Sequence, residues 1–443
     1  MGVFWETERP DTELLAEAAE LKRYTDMLIC DSDFRAEAMR SPERAAVKAG
    51  LQISAEDARY YAHFPIPPAR GILAVYTEEK KHARRDIRDR AGQIRLKSFA
   101  AWRLRQIARC NLELGPSVNE QFSHLPFLIE LSSGCSVGCP FCALSAGKLR
   151  KVCRADEDTL KLFTDLLKGA EGLIGHAVRE AILYYATEPM DTPDYGTFFL
   201  RFQELFDRAP ITTTAVPMRH PDLTRKIMAG KQGRQPTLQR ISLLSQDVFR
   251  RCARAFSPME TLYTEFLPRY PEGGGLVRAG RGAGLPEEEG IWTGQGTISC
   301  VSGFIVNLAE RTVRLSTPCR AGEEWPEGEK QKNLGGFVTA EEALKIIGHT
   351  VEKMREMPEE NISLRMQPFL RFSPEDPGIL ENPGTVWFRP DEETAALCRL
   401  LENGSATEEM LISRAGLPGW KTQLTVNYLY QQGVLEQDGG IER

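Results

Sequence analysis

The stretch "PFLIELSSGCSVGCPFC", residues 126–142, decides how this chain is read. Its first half, "PFLIEL", is a short apolar run bounded by proline on one side and "SSG" on the other, the pattern of a buried strand. Its second half sets Cys135, Cys139 and Cys142 close together in one loop, with Phe141 directly before the third cysteine. Three thiolates in so tight a loop point to a metal. A closed zinc site takes four ligands, and Cys153 is the conceivable fourth. A cubane 4Fe–4S cluster accepts three thiolates and can leave one iron open. The cysteines alone leave both open.

After the cysteine loop, β-rich runs alternate with helical segments. They are helix 159–167, strand "EAILYYA" (180–186), helix 196–206, strand "ITTTAV" (211–216), helix 223–228, strand "RISLLS" (240–245), helix 248–255 and strand "METLYTEF" (259–266). Strand and helix repeated in this way predict an α/β fold with a parallel sheet or barrel. The cysteine loop follows the first strand, at the C-terminal edge of the sheet, where such folds place their active sites. The Gly-rich run at 271–290 has neither the context nor the spacing of a nucleotide loop and reads as a mobile surface loop or lid. Residues 296–319 read as a hairpin turning at Ala309, Glu310 and Arg311, and 318–337 as loop.

The two ends differ from this middle. Residues 11–110 are helical, with apolar residues at three- and four-residue spacing. Within them, the basic stretch 78–97 reads as a solvated helix face, with a peptide- or acid-binding role as the alternative. Residues 31–57 read as a helix-turn-helix, with Gly50 as the C-terminal cap and "ISAED" starting the next helix. From Thr385 a short strand, three helices and a terminal strand follow in winged-helix order. Such modules often bind DNA, but this one is acidic, so a peptide or an intramolecular surface is the better partner. The expected organisation is a helical region at 1–115, an α/β barrel with hairpin at 116–330, a connecting segment at 331–384 and a winged-helix-like module at 385–443.

The 443-residue chain has a formal net charge of −6, which gives no strong case for nucleic acid or an anionic membrane. It begins without the basic start and apolar run of a secretory signal, and Thr7 lies outside the place a myristoylation motif requires. No apolar run approaches the roughly 18 residues of a membrane helix. Ten scattered cysteines do not form a secreted disulfide framework. A soluble, cytoplasmic protein is expected.

The motif "CSVGCPFC", placed after the first strand of an α/β pattern, resembles the radical S-adenosylmethionine superfamily over residues 126–267. The resemblance implies a partial (β/α)6 barrel, a 4Fe–4S cluster on Cys135, Cys139 and Cys142, and S-adenosylmethionine at the open iron. In that superfamily a Gly-Gly-Glu-like turn after the second strand holds the methionyl amino group. Here "YYATEPMD" (184–191) has Ala186 and Thr187 in place of the glycines, while Glu188 offers a carboxylate for a charge-assisted hydrogen bond. The plainer reading of Glu188 is a surface residue at a strand end. Ser242 and Ser245 match places where the family contacts ribose or carboxylate, and Phe141 would touch adenine chiefly through its backbone. The implied chemistry is removal of an unactivated hydrogen by an adenosyl radical, with the protein positioning one C–H bond and excluding water.

Beyond "CSVGCPFC", the segments 184–195, 240–245 and 303–328 resemble the proteusin (polytheonamide)-type epimerases, which invert L-residues to D-residues in ribosomally made peptides. That resemblance implies Cα hydrogen abstraction from one face and return of a hydrogen from a cysteine thiol on the other. Cys319 is the candidate donor and Cys300 the second, although a lone cysteine is more often a small buried hydrophobe. Cys252, Cys300, Cys319 and Cys398 are too scattered for an auxiliary cluster. The implied partners are a precursor peptide and an electron donor such as flavodoxin or ferredoxin. Residues 31–57 also resemble leader segments of nitrile-hydratase-like precursors, and the C-terminal module resembles leader-binding recognition elements. The rival readings are a radical splicease or carbon–carbon crosslinking enzyme and, outside enzymes, a zinc-stabilised winged-helix regulator.

Overall fold

The computed structural model describes residues 3–5, 11–64, 68–232, 235–270, 275–286, 292–293, 296–382, 386–402 and 404–438. The chain is a mixed α/β protein built around the strand Leu125–Glu130. Every residue of that strand is buried. Strand side chains alternate between faces, and here the alternation sorts the core. Phe127, Ile129 and Leu131 join Phe304, Val306, Val313 and Leu315 against Phe163, Leu166 and Leu167 of the helix Glu157–Ile174. This helix forms because its buried positions recur every three or four residues, Asp156 caps its first turn, and Gly175, at φ 109°, ends it. Each fully buried Leu or Phe contributes roughly 1.5–3 kcal/mol relative to exposure. The opposite face of the same strands carries Leu128 and Ile305 with the polar Glu130, Asn307 and Arg314, and looks into the interior.

On one side of Leu125–Glu130 lies the parallel strand Val301–Asn307, then the antiparallel Thr312–Pro318 and Glu329–Gly336. The hairpin turns at residues 308–311, with Arg311 at φ 58°. Glu329–Gly336 corrects the expectation of a loop there. It is a polar, half-exposed edge strand, so its sequence lacks the apolar alternation that would mark it. On the other side, the short strand Thr213–Thr214 pairs in parallel with Gln239–Leu243, and that in turn with Thr264–Pro268.

The expected strand at 180–186 does not form: Glu180 ends a 3-10 turn that begins at His176, and 181–186 is irregular chain with bends. Ile129 N–H donates to Ile182 O at 3.1 Å, but Ala186 N–H donates to the Glu130 side chain and Tyr185 N–H to Thr187 Oγ1. The expected strand at 211–216 shrinks for the same reason. Thr212 N–H donates to Gln239 Oε1, Ala215 N–H to Glu188 and Val216 N–H to Thr214 Oγ1. Side chains near the cysteine loop thus occupy backbone donors that a regular ladder would use. The run at 259–266 becomes a turn followed by Thr264–Pro268, because Ser257 and Glu260 exchange local hydrogen bonds.

The helices Thr12–Cys30, Ser32–Arg40, Pro42–Lys48, Ala55–Ala62, Gly71–Ala91 and Lys97–Leu114 form the N-terminal region. Residues 31–57 are the expected helix-turn-helix, with Gly50 at φ 71° just past the second helix and Ser54 capping the third. The basic stretch is not only a solvated face: Lys80 and Arg84 reach Glu265, and Arg90 pairs with Glu180. At the C-terminus, the helices Glu392–Leu401, Glu408–Arg414 and Gly419–Gln431 and the strand Leu435–Gln437 follow in the expected order. Their sheet also takes in Leu364–Met366, so this module begins ahead of residue 385. Among the described residues, no helix is long and apolar enough to cross a membrane.

Candidate functional site

The cysteine loop leaves the C-terminal end of Leu125–Glu130 through a sharp turn. Gly134 sits at φ 80°, and a Cβ there would strike the Lys148 carbonyl, so the turn requires glycine. Cys135 N–H then donates to Gly147 O at 2.8 Å, and Cys142 N–H to Cys139 O at 3.3 Å, folding the loop back on itself. Cys135, Cys139 and Cys142 are all half-buried. Burial, with the neighbouring thiols of Cys142 and Cys135 adding to it, pushes the Cys139 thiol up to about 11. Thiolates this close in one loop suit a cation that neutralises them. Among the described residues, no three Cys, His, Asp or Glu side chains are already gathered tightly enough to hold a metal ion, so loading requires these thiols to draw together. Cys153 does not complete the set: it is packed into the apolar core beside Leu131 and Leu162.

Two clamps fix this loop, and composition alone points to neither. Asp191 accepts hydrogen bonds from the backbone N–H of Ser136 at 2.7 Å and from the Ser136 hydroxyl, and Arg219 bridges Asp191 and Ser136. On the far side, Arg281 Nε donates to Cys139 O at 3.0 Å, its guanidinium donates to Ala146 O at 2.8 Å, and its N–H donates to Cys142 O at 3.0 Å. The described part of the Gly-rich run, 275–286, is therefore no free surface loop or lid. Val277 and Ala279 pack on Ala143, and Gly280, at φ 52°, lies so close that a Cβ would strike the Ala143 carbonyl. The remainder of that run lies outside the described residues.

Glu188 is 3% exposed, not the surface residue of the plainer reading. Its carboxylate accepts from Thr214 Oγ1 at 2.6 Å, Ala215 N–H at 2.9 Å and Met190 N–H at 3.1 Å. Burial raises its pKa against the lowering effect of these donors. Glu188 caps the turn Pro189–Asp191, whose Asp191 binds Ser136, so the carboxylate sits on the segment that clamps the cysteine loop. Ser242 lies half-buried on the strand Gln239–Leu243, whereas the Ser245 hydroxyl caps the helix Gln246–Ala255, accepting from Val248 N–H at 3.4 Å. Phe141 is half-buried, with its carbonyl close over Gly282.

The two donor candidates part company. Cys319 is 1% exposed and faces the helix Lys97–Leu114, beside Arg109, Glu113 and Cys110. Cys300 keeps exposed surface and faces the interior among Tyr184, Tyr185, Arg240 and Glu329. Burial, with Glu329 adding and Arg240 opposing, pushes its thiol up to about 11. The structure thus turns Cys319 away from the interior and Cys300 into it. The signal in the sequence was strand parity: Thr317 contacts Arg109, so Cys319, two residues on, points to the same side.

No family model matches this chain, and no solved structure matches it. An uncharacterized protein of Sinorhizobium fredii, y4wI, is 27% identical over 469 residues, spanning 99% of this chain and 91% of that protein. The likeness therefore runs through the helical region, the α/β core and the C-terminal module alike.

Proposed function

We propose that this chain is a radical S-adenosylmethionine enzyme that inverts L-residues to D-residues in a ribosomal precursor peptide. One observation carries the reading. Of the ten cysteines, four are half-buried and the other six buried: the four are the three of the loop and Cys300, which packs with Tyr184 and Tyr185. Three thiols to anchor a cluster and one set apart to return a hydrogen are the complement an inversion needs. In this reading the two sheets, that of Leu125–Glu130 and that of Gln239–Leu243, are parts of the partial (β/α)6 barrel, and the C-terminal module is its winged-helix-like appendage.

Cys135, Cys139 and Cys142 would hold the 4Fe–4S cluster. When bound, the cluster and S-adenosylmethionine supply hydrogen-atom abstraction from an unactivated carbon. Glu188 would accept the cofactor's ammonium, Phe141 would meet adenine through its backbone, and Ser242 and Ser245 would meet ribose or carboxylate. Arg281 and Asp191 hold the cysteine loop in place. Cys300, rather than Cys319, gives its hydrogen to the peptide Cα, because Cys319 faces a packed helix. A cytoplasmic ferredoxin or flavodoxin would supply electrons.

The test is co-expression with a candidate precursor peptide, in heavy water, followed by chiral amino-acid analysis and mass spectrometry. Each inverted residue should carry one deuteron at Cα. Cys300→Ala should abolish D-residues while Cys319→Ala retains them. The reverse pattern returns the donor role to Cys319. A peptide of altered connectivity with no D-residue would replace inversion by splicing or crosslinking.

A further inference from the structure

Residues 131–155, the cysteine loop and its flanks, carry Lys148, Arg150, Lys151 and Arg154 but no Asp or Glu, in a chain of net charge −6. The basic helix Gly71–Ala91 differs, because Glu78, Glu79, Asp86 and Asp89 interleave its cations. A run of one sign along a loop raises a local potential that a partner of the other sign can use.

The structure holds this run against the cysteines. Lys148 bridges to Cys135 across the loop, and its carbonyl backs onto Gly134. Arg150 N–H donates to Ser133 O at 2.8 Å, and Lys151 lies opposite Ser133 in a two-stranded ribbon. Two cations from other segments join them. Arg219 donates to Ser136 Oγ at 2.9 Å and Arg281 to Cys139 O at 3.0 Å. All five are exposed, and two carboxylates answer them: Glu310 takes Lys151 at 2.9 Å and Arg150 at 3.7 Å, and the buried Asp191 takes Arg219. Among the described residues, Lys148 and Arg281 form no ion pair. The rim is therefore positive. Between its cations, Ser136, Gly138 and Pro140 are exposed beside the half-buried Cys135, Cys139 and Cys142, so whatever these thiols hold comes close to solvent here.

We propose that this rim is the docking surface of an acidic one-electron carrier of the flavodoxin or ferredoxin class. It rests on the radical S-adenosylmethionine reading of the three thiols. One electron leaves the carrier, which is oxidised, and enters the cluster, which is reduced; no bond forms or breaks. Electron transfer falls steeply with distance, so the carrier must seat on the surface nearest the cysteines. It must also leave after each delivery, which favours a small contact steered by charge over a large apolar one. The rim has that character: among the described residues, none of the exposed large apolar side chains lies within 131–155.

The first arm of the test needs no turnover. Binding of a dye-labelled recombinant flavodoxin to the full-length chain is followed by fluorescence anisotropy across ionic strength. Affinity should fall about tenfold from low to physiological salt. Lys148→Gln, Arg150→Gln and Lys151→Gln combined should cost about tenfold at low salt and flatten that dependence, with an unchanged melting temperature. Carbodiimide, which joins carboxylates to amines, should couple the flavodoxin to Lys148 and Lys151 of the wild-type chain, read by peptide mass spectrometry. No wild-type binding, binding that ignores salt, coupling confined to other lysines, or an unweakened triple variant overturns the docking surface. The second arm separates this from the reading beneath it. After reconstitution, the triple variant should cleave S-adenosylmethionine as fast as wild type with dithionite, but about tenfold slower with limiting reduced flavodoxin. Rates equal to wild type with both reductants overturn the docking surface alone. A wild-type chain that holds no iron, or cleaves nothing with dithionite, overturns the radical reading itself.

Discussion

Glu188 takes three hydrogen bonds from its own chain, yet an ionised carboxylate offers about four lone-pair positions, so it can still receive an ammonium. Its raised pKa fixes the sign of two effects. A buried carboxyl whose folded pKa lies above its unfolded value costs stability once the pH passes that unfolded value. Glu188→Gln should therefore leave the unliganded protein as stable or more so at neutral pH, seen as an equal or higher melting temperature. S-adenosylmethionine should bind more tightly as the pH rises through the raised pKa, because only the carboxylate pairs with an ammonium. Glu188→Gln should erase that pH dependence and weaken binding about ten- to a hundredfold, the worth of a charge-assisted hydrogen bond. Calorimetric titration measures both, and equal affinities would reduce Glu188 to a tie between Thr214 and Ala215. For the cysteines the readout is elemental. Replacing Cys135, Cys139 or Cys142 with Ala should remove bound iron and sulfide after anaerobic reconstitution, whereas Cys153→Ala should not. A colourless zinc protein that loses its metal in Cys153→Ala would favour the regulator reading.

The elements that carry these residues were unevenly legible. The strand Leu125–Glu130 was open to reading as a short apolar run between proline and "SSG", and the helix Glu157–Ile174 by its periodicity and its cap. The wall at 275–286 was not, because nothing within its Gly-rich sequence decides its shape. Its shape comes from the cysteine loop it packs on, through Gly280 against Ala143 and Arg281 on the carbonyls of Cys139 and Ala146. The runs at 180–186 and 211–216 misled for the opposite reason. Their composition favours strand, but Glu130, Glu188, Thr187, Thr214 and Gln239 take the backbone donors. If the wall and the loop are one unit, Arg281→Ala should leave the fold intact but loosen the loop. The expected result is faster loss of iron to a chelator from the reconstituted protein, with an unchanged melting temperature before loading. Loss no faster than in wild type would mean that the loop holds its shape without Arg281.

The helical region and the α/β core are joined through charge. Glu265, on the strand Thr264–Pro268, is 8% exposed and meets Arg84 and Lys80 of the helix Gly71–Ala91 together with Arg240 of the neighbouring strand. Arg250 grips Asp31 through Nε and Nη2, each at 2.7 Å, and Arg23 donates to the carbonyls of Ala253, Phe256 and Ser257. Such buried pairs add little net stability when whole, but losing one partner strands the others and costs about 3–5 kcal/mol. Burial alone would raise the pKa of Glu265, yet Arg240, Arg84 and Lys80 pull it down to about 2. A depressed carboxylate pKa contributes stability that is fully present above the unfolded value, near 4.5, and is lost as pH falls towards about 2. The corresponding shift is worth about 3 kcal/mol at neutral pH. Glu265→Gln should thus lower the urea midpoint clearly at pH 7, and the gap to wild type should close progressively below about pH 4.5. The loss should first free the helices rather than the core, so limited proteolysis at pH 7 should cut within residues 11–114 of the variant before it touches residues 125–336. Equal midpoints at pH 7 would mean that Arg84 and Lys80 find water as good a partner as Glu265, and that apolar packing alone joins the two regions.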